Sequence, residues 1–420
     1  MIKLSVSGLR GIVGKGLTHK EVLDYSLAYG IIYEGGKLAV GMDTRESGFA
    51  LKSLVKGALM LCGSDVYDFG IIPTPAFLRM IKVLNLDGGI IITASHNPPQ
   101  WNALKFAFGD RLSRDSEVEK VRNNLGKEPK YATFGKEYSV EVLNIYLTNF
   151  PKFDLSGLKV VLDFQNGATS GWVDRVFEKL GAEVFTIRGS GKLPEDPEPK
   201  REKFFLMDEV LREGYADVGF GFDPDGDRVI CGLKGLGMLS EEQTTALALY
   251  SAAKTFNIPK KAVLNLSTSV LSERVLRDLG YEVSRWKVGE PNIIEYMESI
   301  GAKLGGEGNG GLIYYDFTKG RDGILASVLI GKLVKEGDIP DFILKNPYDM
   351  VKLKFSGEIE DIMERVKVLI DGWDFVGIDG YYFRNGDNWL HIRPSNTEPV
   401  IRVVVEGDEK FVKGILKVLE

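Results

Sequence analysis

The chain is poor in the features that mark secreted, thiolate-metal, membrane or nucleic-acid-binding proteins. Of its 420 residues only two are cysteines, Cys62 and Cys231. They lie far apart and outside any CxxC, which excludes a disulfide framework and a thiolate metal site. Both are expected to be small buried apolar residues. Long hydrophobic runs are also missing. No stretch approaches the ~18–20 apolar residues that a membrane span needs, and Met1-Ile2-Lys3-Leu4-Ser5 has no signal-peptide core, so a cytoplasmic protein without a membrane partner is expected. Nor is there a basic excess: 53 Lys and Arg face 59 Asp and Glu, a formal net charge of −6. Phosphate-backbone affinity comes from clustered Lys and Arg, so a nucleic-acid partner is excluded, and any phosphate must be met by local arginines.

What is present is an ordinary globular composition, 44% hydrophobic and 27% charged, over a length that implies several domains. A repeat divides it. Leu61-Cys-Gly-Ser-Asp-Val66 is echoed by Leu180-Gly-Ala-Glu-Val184 and Leu279-Gly-Tyr-Glu-Val283, each closing a helix and opening a strand. Gly63, Gly181 and Gly280 are natural left-handed helix ends. Upstream of each lies an apolar strand: Leu38 to Met42, Val160 to Phe164 and Ala262 to Leu266. The expected fold is α/β, with three related domains of mixed sheets over 1–150, 151–256 and 257–343. A smaller α+β domain over 344–420 completes it, and the four surround a central cleft. The boundaries rest on Phe150-Pro151, Ile258-Pro259 and Ile339-Pro340. The Pro- and charge-rich stretch Leu193 to Glu202 reads as an exposed loop of the second domain.

Each domain carries one chemical motif. The apolar strand Gly89 to Ile92 is stopped by Pro98-Pro99, so Ser95 sits at the carboxyl end of a strand, where open α/β sheets bind ligands. It reads either as a nucleophilic or phosphorylated serine or as turn chemistry. Near the start, Ser7-Gly-Leu-Arg10-Gly11 presents an arginine whose planar fork suits phosphate. Asp223-Pro-Asp225-Gly-Asp227-Arg228 places three carboxylates two residues apart. Uncompensated like charges want a cation, and oxygen-only ligation points to a hard ion, Mg²⁺ first. A calcium EF-hand is excluded, because its sixth and twelfth positions would be Arg228 and Lys234 where glycine and glutamate are needed.

Gly306-Glu307-Gly308-Asn309-Gly310-Gly311 fits GxGxxG, but Leu312 to Phe317 is β-branched and aromatic instead of helical, and Glu307 would repel a pyrophosphate. Glu307 and Asn309 suit sugar hydroxyls better. The last domain has two strands joined by a donor-rich loop holding Arg393, Ser395, Asn396, Thr397 and Arg402, which can cradle a phosphate. His391 shares a strand face with Arg393 and is assigned no role.

With Gly41-Met-Asp-Thr-Arg45, Thr93-Ala-Ser-His-Asn-Pro98, Gly306-Glu-Gly-Asn-Gly310 and Arg393-Pro-Ser-Asn-Thr-Glu-Pro399 in this order beside Arg10 and the aspartates, the chain resembles the α-D-phosphohexomutase superfamily. That superfamily includes phosphomannomutase/phosphoglucomutase and phosphoglucosamine mutase. The resemblance implies that Ser95 carries the transferable phosphoryl group, and that Asp223, Asp225 and Asp227 hold Mg²⁺ with a phosphoserine oxygen. It implies sugar recognition by Glu307 and Asn309, and a grip on the non-reacting phosphate by Arg393, Ser395, Asn396, Thr397 and Arg402. Lys105 matches the family's general acid/base, Arg10 the arginine near the serine, and His96 the serine's neighbour. As a base Lys105 needs partial burial and a neighbouring cation, both of which disfavour the ammonium form. Two positions depart from the family: Ala103 replaces a glycine before the lysine, and Gly311 stands where many members have histidine.

The implied activity interconverts hexose 1-phosphate and hexose 6-phosphate, of mannose and/or glucose, through a phosphoserine and a hexose 1,6-bisphosphate. Phosphoglucosamine mutase is the alternative within the family. A serine-dependent sugar-phosphate phosphohydrolase and a non-catalytic sugar-phosphate sensor are the alternatives of other classes. The partner is a small phosphosugar, and the sequence is silent on oligomeric state.

Overall fold

A computed structural model describes residues 3–308, 310–395 and 400–419. Three mixed sheets follow one plan, in which the first strand lies at the centre of a parallel trio and a fourth strand runs antiparallel beside the third. In the first sheet the quartet is Lys37–Met42, Asp65–Ile71, Gly88–Ile92 and Trp101–Phe108. In the second it is Lys159–Asp163, Glu183–Ile187, Val218–Phe222 and Val229–Leu233. The third repeats it with Lys261–Asn265, Glu282–Trp286, Leu304–Glu307 and Gly311–Tyr314. The central strands are short apolar runs buried on both faces, as parallel strands covered by helices must be. Gly63, Gly181 and Gly280 follow the helix after the first strand of each quartet with φ of +81°, +91° and +79°, the left-handed backbone expected of them.

The shared plan has a geometric result. The link from third to fourth strand leaves the carboxyl end of a parallel strand in every unit, and it is residues 93–100, then 223–228, then 308–310. These links carry Ser95, the three aspartates and the glycine-rich hairpin. Three motifs that looked unrelated occupy one structural slot.

The last sheet differs. Its five strands are all antiparallel, in the order Asp349–Phe355, Ile401–Gly407, Asn388–Pro394, Tyr381–Asn385 and Asp374–Val376. The helices Ile359–Val366 and Glu409–Leu419 close a separate core with Leu390, Ile392, Val403 and Val405.

The first three units share a single apolar cluster, running from Phe77 and Phe150 through Phe177 and Phe220 to Leu264 and Leu325. Helix Glu241–Thr255 packs on both the second and the third sheet. The expected division at 256 therefore falls after a helix that two units use in common. The last sheet is joined mainly by polar contacts. His391 Nε2 donates to the Asp379 carbonyl at 2.7 Å and Nδ1 bonds Ser267 Oγ at 2.8 Å, so both ring nitrogens have structural partners. Glu406 accepts from Val270 N at 2.8 Å and Trp389 Nε1 at 2.7 Å. Lys352 pairs with Glu241 at 2.7 Å and Glu242 at 3.0 Å. Lys3 Nζ, on the edge strand Lys3–Ser5 of the first sheet, donates to the Ser395 carbonyl at 3.2 Å, just beyond strand Asn388–Pro394. Cys62 and Cys231 are both buried and form no disulfide. Among the described residues no helix is long and apolar enough to cross a membrane.

Asp322 caps helix Gly323–Glu336, accepting from Leu325 N at 2.8 Å and from Thr318 Oγ1 at 2.9 Å. Burial pushes its carboxyl up to about 6 against those hydrogen bonds. A raised folded-state value means that its stabilising contribution is complete at acid pH and is lost as pH climbs towards that value. Asp322→Asn keeps the cap and removes the titration. The Tm difference, variant minus parent, is expected to grow between about pH 4 and about pH 7 and then level off; a difference flat with pH would contradict this account.

Candidate active site

Strand Gly88–Ile92 ends in a loop held by one side chain. Arg45 is almost wholly buried, and its guanidinium donates to the carbonyls of Ser95, Asn97, Pro98 and Trp101, the last three at 2.7, 2.6 and 3.0 Å. Its Nε pairs with Asp43 Oδ2 at 3.0 Å, and Thr93 Oγ1 donates to the same oxygen at 2.6 Å. Five donors in a rigid plane suit a loop that turns four carbonyls onto one side chain. Ser95 itself has φ +50°, a left-handed conformation unfavourable for a residue with a Cβ. Arg45 stands in a motif legible in the sequence, yet composition does not separate a buried arginine from a solvated one, and no role was read for it.

The hydroxyl of Ser95 donates to Asp223 Oδ2 at 2.8 Å. Asp223, Asp225 and Asp227 are buried, each with a carboxylate oxygen within 4.8 Å of the others'. Burial, and then the charges of Asp225 and Asp227, hold the Asp223 carboxyl well above the usual carboxylate range. Burial works in the same direction on Asp225, but the Lys105 ammonium at 2.6 Å and a hydrogen bond from Thr74 at 2.7 Å bring it well below that range. Asp227 Oδ2 is taken by Arg321.

The expected uncompensated acid cluster is therefore corrected: Lys105 and Arg321 already balance two of the three charges. Thr74, Lys105 and Arg321 come from other units, beyond the reach of a local motif. What remains are Asp225 Oδ1 and Asp227 Oδ1, buried and with no hydrogen-bond partner among the described residues, the latter with Arg228 Nε only at 3.8 Å. Orphaned anionic oxygens are costly. A hard divalent cation is the group whose chemistry fits two such oxygens beside Asp223.

Lys105 lies on strand Trp101–Phe108 opposite Ile91. Ala103 is an ordinary residue of that strand, paired with Arg10, so no glycine-only conformation is required there. The charge beside Lys105 is a carboxylate and not the expected cation, because the acidic loop of the second unit reaches across to it. Arg10 is buried, donates to Asn97 Oδ1 and to the Ala94 carbonyl, and is drawn down to about 10 by burial.

His96 places Nδ1 3.4 Å from Ser95 Oγ and Nε2 3.5 Å from Glu198. Burial, with Arg228 next in effect, pushes His96 well below its usual value, and Glu198 opposes them. Glu198 also pairs with Arg228. It belongs to the stretch read as an exposed loop, and that reading is corrected too. Leu193, Pro197 and Pro199 are buried, and Gln165 Nε2 donates to the Pro197 carbonyl at 3.1 Å, so the loop folds back over the site.

Glu307 Oε1 accepts from Asn265 Nδ2 at 2.9 Å and Gly289 N at 2.7 Å, while Oε2 lies 3.5 Å from Arg321. Arg321 thus joins the third hairpin to the aspartates. Asn309, Asn396 and Thr397 lie outside the described residues. Arg393 pairs with Asp379 at 3.1 Å, and Arg402 Nε donates to Ser395 Oγ at 3.2 Å. The structure gathers Ser95, His96, Lys105, Arg10 and the three aspartates into one cluster, and sets the Arg393, Ser395 and Arg402 group apart on the last sheet.

Four family models match in chain order. The phosphoglucomutase/phosphomannomutase alpha/beta/alpha domains I, II and III match residues 1–131, 136–235 and 240–348, and the C-terminal domain of the same family matches 350–413. A probable phosphoglucosamine mutase of Methanopyrus kandleri is 31% identical over 96% of this chain and 93% of its own length. The chain belongs to the phosphohexomutase family. Phosphohexomutases are isomerases that transfer a phosphoryl group within a hexose phosphate. A phosphoglucosamine mutase of Thermotoga maritima is 32% identical over 98% of each chain. Among solved structures, a putative phosphomannomutase from Thermus thermophilus superposes with a TM-score of 0.84 at 25% identity, over 100% of this chain and 98% of that one.

Two outcomes follow for this phosphohexomutase. Arg45→Met leaves Asp43 unpaired in the dry interior, and is expected to destabilise the serine loop by about 3–5 kcal/mol; hydrogen-exchange protection over residues 88–108 equal to the parent's would remove Arg45 from its place here. A chelator is expected to abolish turnover and added Mg²⁺ to restore it; full activity in excess chelator would reject the cation site.

Proposed function

We propose that the chain interconverts glucosamine 1-phosphate and glucosamine 6-phosphate through phospho-Ser95 and a 1,6-bisphosphate. The observation that carries the mechanism is the Ser95 hydroxyl on Asp223, beside two orphaned carboxylate oxygens and the Lys105 ammonium. The sugar rests on the relatives. Those in Methanopyrus and Thermotoga bear the names probable phosphoglucosamine mutase and phosphoglucosamine mutase, which supports glucosamine over the mannose and glucose first expected.

In the first half-reaction the bond from Ser95 Oγ to phosphorus breaks as phosphorus bonds a sugar hydroxyl oxygen. That hydroxyl's proton is passed on by way of Lys105, the proposed general acid/base, to the Ser95 Oγ released. After the bisphosphate turns, Ser95 Oγ takes the other phosphoryl group and its proton passes back by way of Lys105 to the sugar oxygen released. Phosphoryl transfer asks the protein chiefly for charge neutralisation and alignment. Mg²⁺ held by Asp223, Asp225 and Asp227 would neutralise charge on the transferring group. Arg10 donates to the carbonyl preceding the serine, His96 lies 3.4 Å from its hydroxyl, and Arg228 pairs with Glu198 beside His96. Glu307 is the proposed sugar contact, with Arg393, Ser395 and Arg402 as the grip on the distal phosphate.

The protein as isolated, or after incubation with glucosamine 1,6-bisphosphate, is expected to carry one phosphoryl group by intact mass, absent in Ser95→Ala. Side-by-side assays primed with bisphosphate are expected to give the highest kcat/KM for glucosamine 1-phosphate over glucose and mannose 1-phosphates. Free phosphate released without isomer would mark a phosphohydrolase, and equal or better turnover of mannose or glucose would return the sugar to the first reading.

A further inference from the structure

Arg321 is absent from every motif of the sequence, yet it lies at the point where the acidic loop and the third hairpin meet. Its guanidinium takes Asp227 Oδ2, lies 3.5 Å from Glu307 Oε2 and 3.4 Å from Glu290 Oε2, and its backbone N–H donates to Glu290 Oε2 at 2.9 Å. Three carboxylates from three segments converge on one cation. The chain just after it is pinned twice: Asp322 N donates to the Leu312 carbonyl at 2.8 Å, and Gly323 N to the Gly226 carbonyl at 3.2 Å, inside the acidic loop itself.

The space Arg321 fills is borrowed from position 311. A Cβ on Gly311 would stand 2.7 Å from Arg321 Cδ and 3.2 Å from its Cγ. Gly311 is in a regular strand and does not have a positive φ, so backbone freedom gives no reason for glycine there. Room for the arginine stem does.

We propose that Arg321 is a positioning residue. By occupying Asp227 Oδ2 it turns Oδ1 towards the cation site, fixes that carboxylate relative to Glu307, and depends on Gly311 for its place. The inference rests on the proposed reading of Asp223, Asp225 and Asp227 as a cation site. Partners that orient a ligating carboxylate commonly affect metal affinity by 10–100-fold when removed. The sign separates this role from simple charge. Deleting a positive charge beside a cation site strengthens cation binding if only Coulomb repulsion matters, whereas losing the orientation of Asp227 weakens it.

The test is direct titration of Mn²⁺ as a probe of the site, by calorimetry or electron paramagnetic resonance, with melting temperature as the check on folding. Arg321→Met and Arg321→Lys are expected to bind Mn²⁺ about tenfold or more weakly. Gly311→Ala, which leaves every charge in place but displaces the arginine stem, is expected to move affinity in the same direction, and it serves where Arg321→Met fails to fold. Affinity unchanged or tighter in Arg321→Met or Arg321→Lys, or unchanged in Gly311→Ala, would overturn the role given to Arg321 while leaving the cation site standing. A parent protein that binds no Mn²⁺ would overturn the cation site itself, and this inference with it.

Discussion

Burying three carboxylates within a few ångströms is the constraint on which the rest of this molecule depends. Asp223, Asp225 and Asp227 lie on a single loop of the second unit, in a dry interior where like charges repel strongly and unmet oxygens are costly. They persist because neighbours supply what their own unit lacks: Lys105 and Ser95 from the first, Arg321 from the third. Charge balance and catalytic geometry are therefore one arrangement. The units cannot drift apart without stranding charge, and the apolar cluster shared by the first three holds them at that distance.

The repeated plan explains how such an arrangement arises. One link in each unit leaves the carboxyl end of the same parallel strand, and each carries a different part of the chemistry. The slot is fixed by strand pairing, so its contents are free to vary. Ser95 needs a strained backbone, the aspartates need cations, and the third hairpin needs space. Arg45 meets the first need, Lys105 and Arg321 the second, and the small residue at 311 the third.

Much of this was legible in the sequence. The glycines closing the repeated helices, the apolar strands before them and the ordered motifs pointed to the three-unit plan, the smaller α+β end domain and the position of Ser95. What was hidden depended on contacts between distant segments. Arg45, Thr74, Glu198 and Arg321 look like ordinary surface chemistry, because local composition does not report burial. Leu193 to Glu202 has the proline and charge of an exposed loop, and only its contacts with Gln165 and Arg228 show that it folds inward. Lys105 misled for the same reason: its neighbour in space is an aspartate 120 residues away in sequence.

The last sheet has a core of its own and meets the others through hydrogen bonds, ion pairs and one small apolar patch around Leu266, Val270, Tyr382 and Trp389. A seam of that composition resembles a transient interface more than a domain interior. Water and salt can replace most of what is broken when it parts, so it can part and re-form without unfolding either side. If the proposed bisphosphate turns end over end, that seam is the boundary that can yield to it, while the apolar cluster shared by the first three units holds them together.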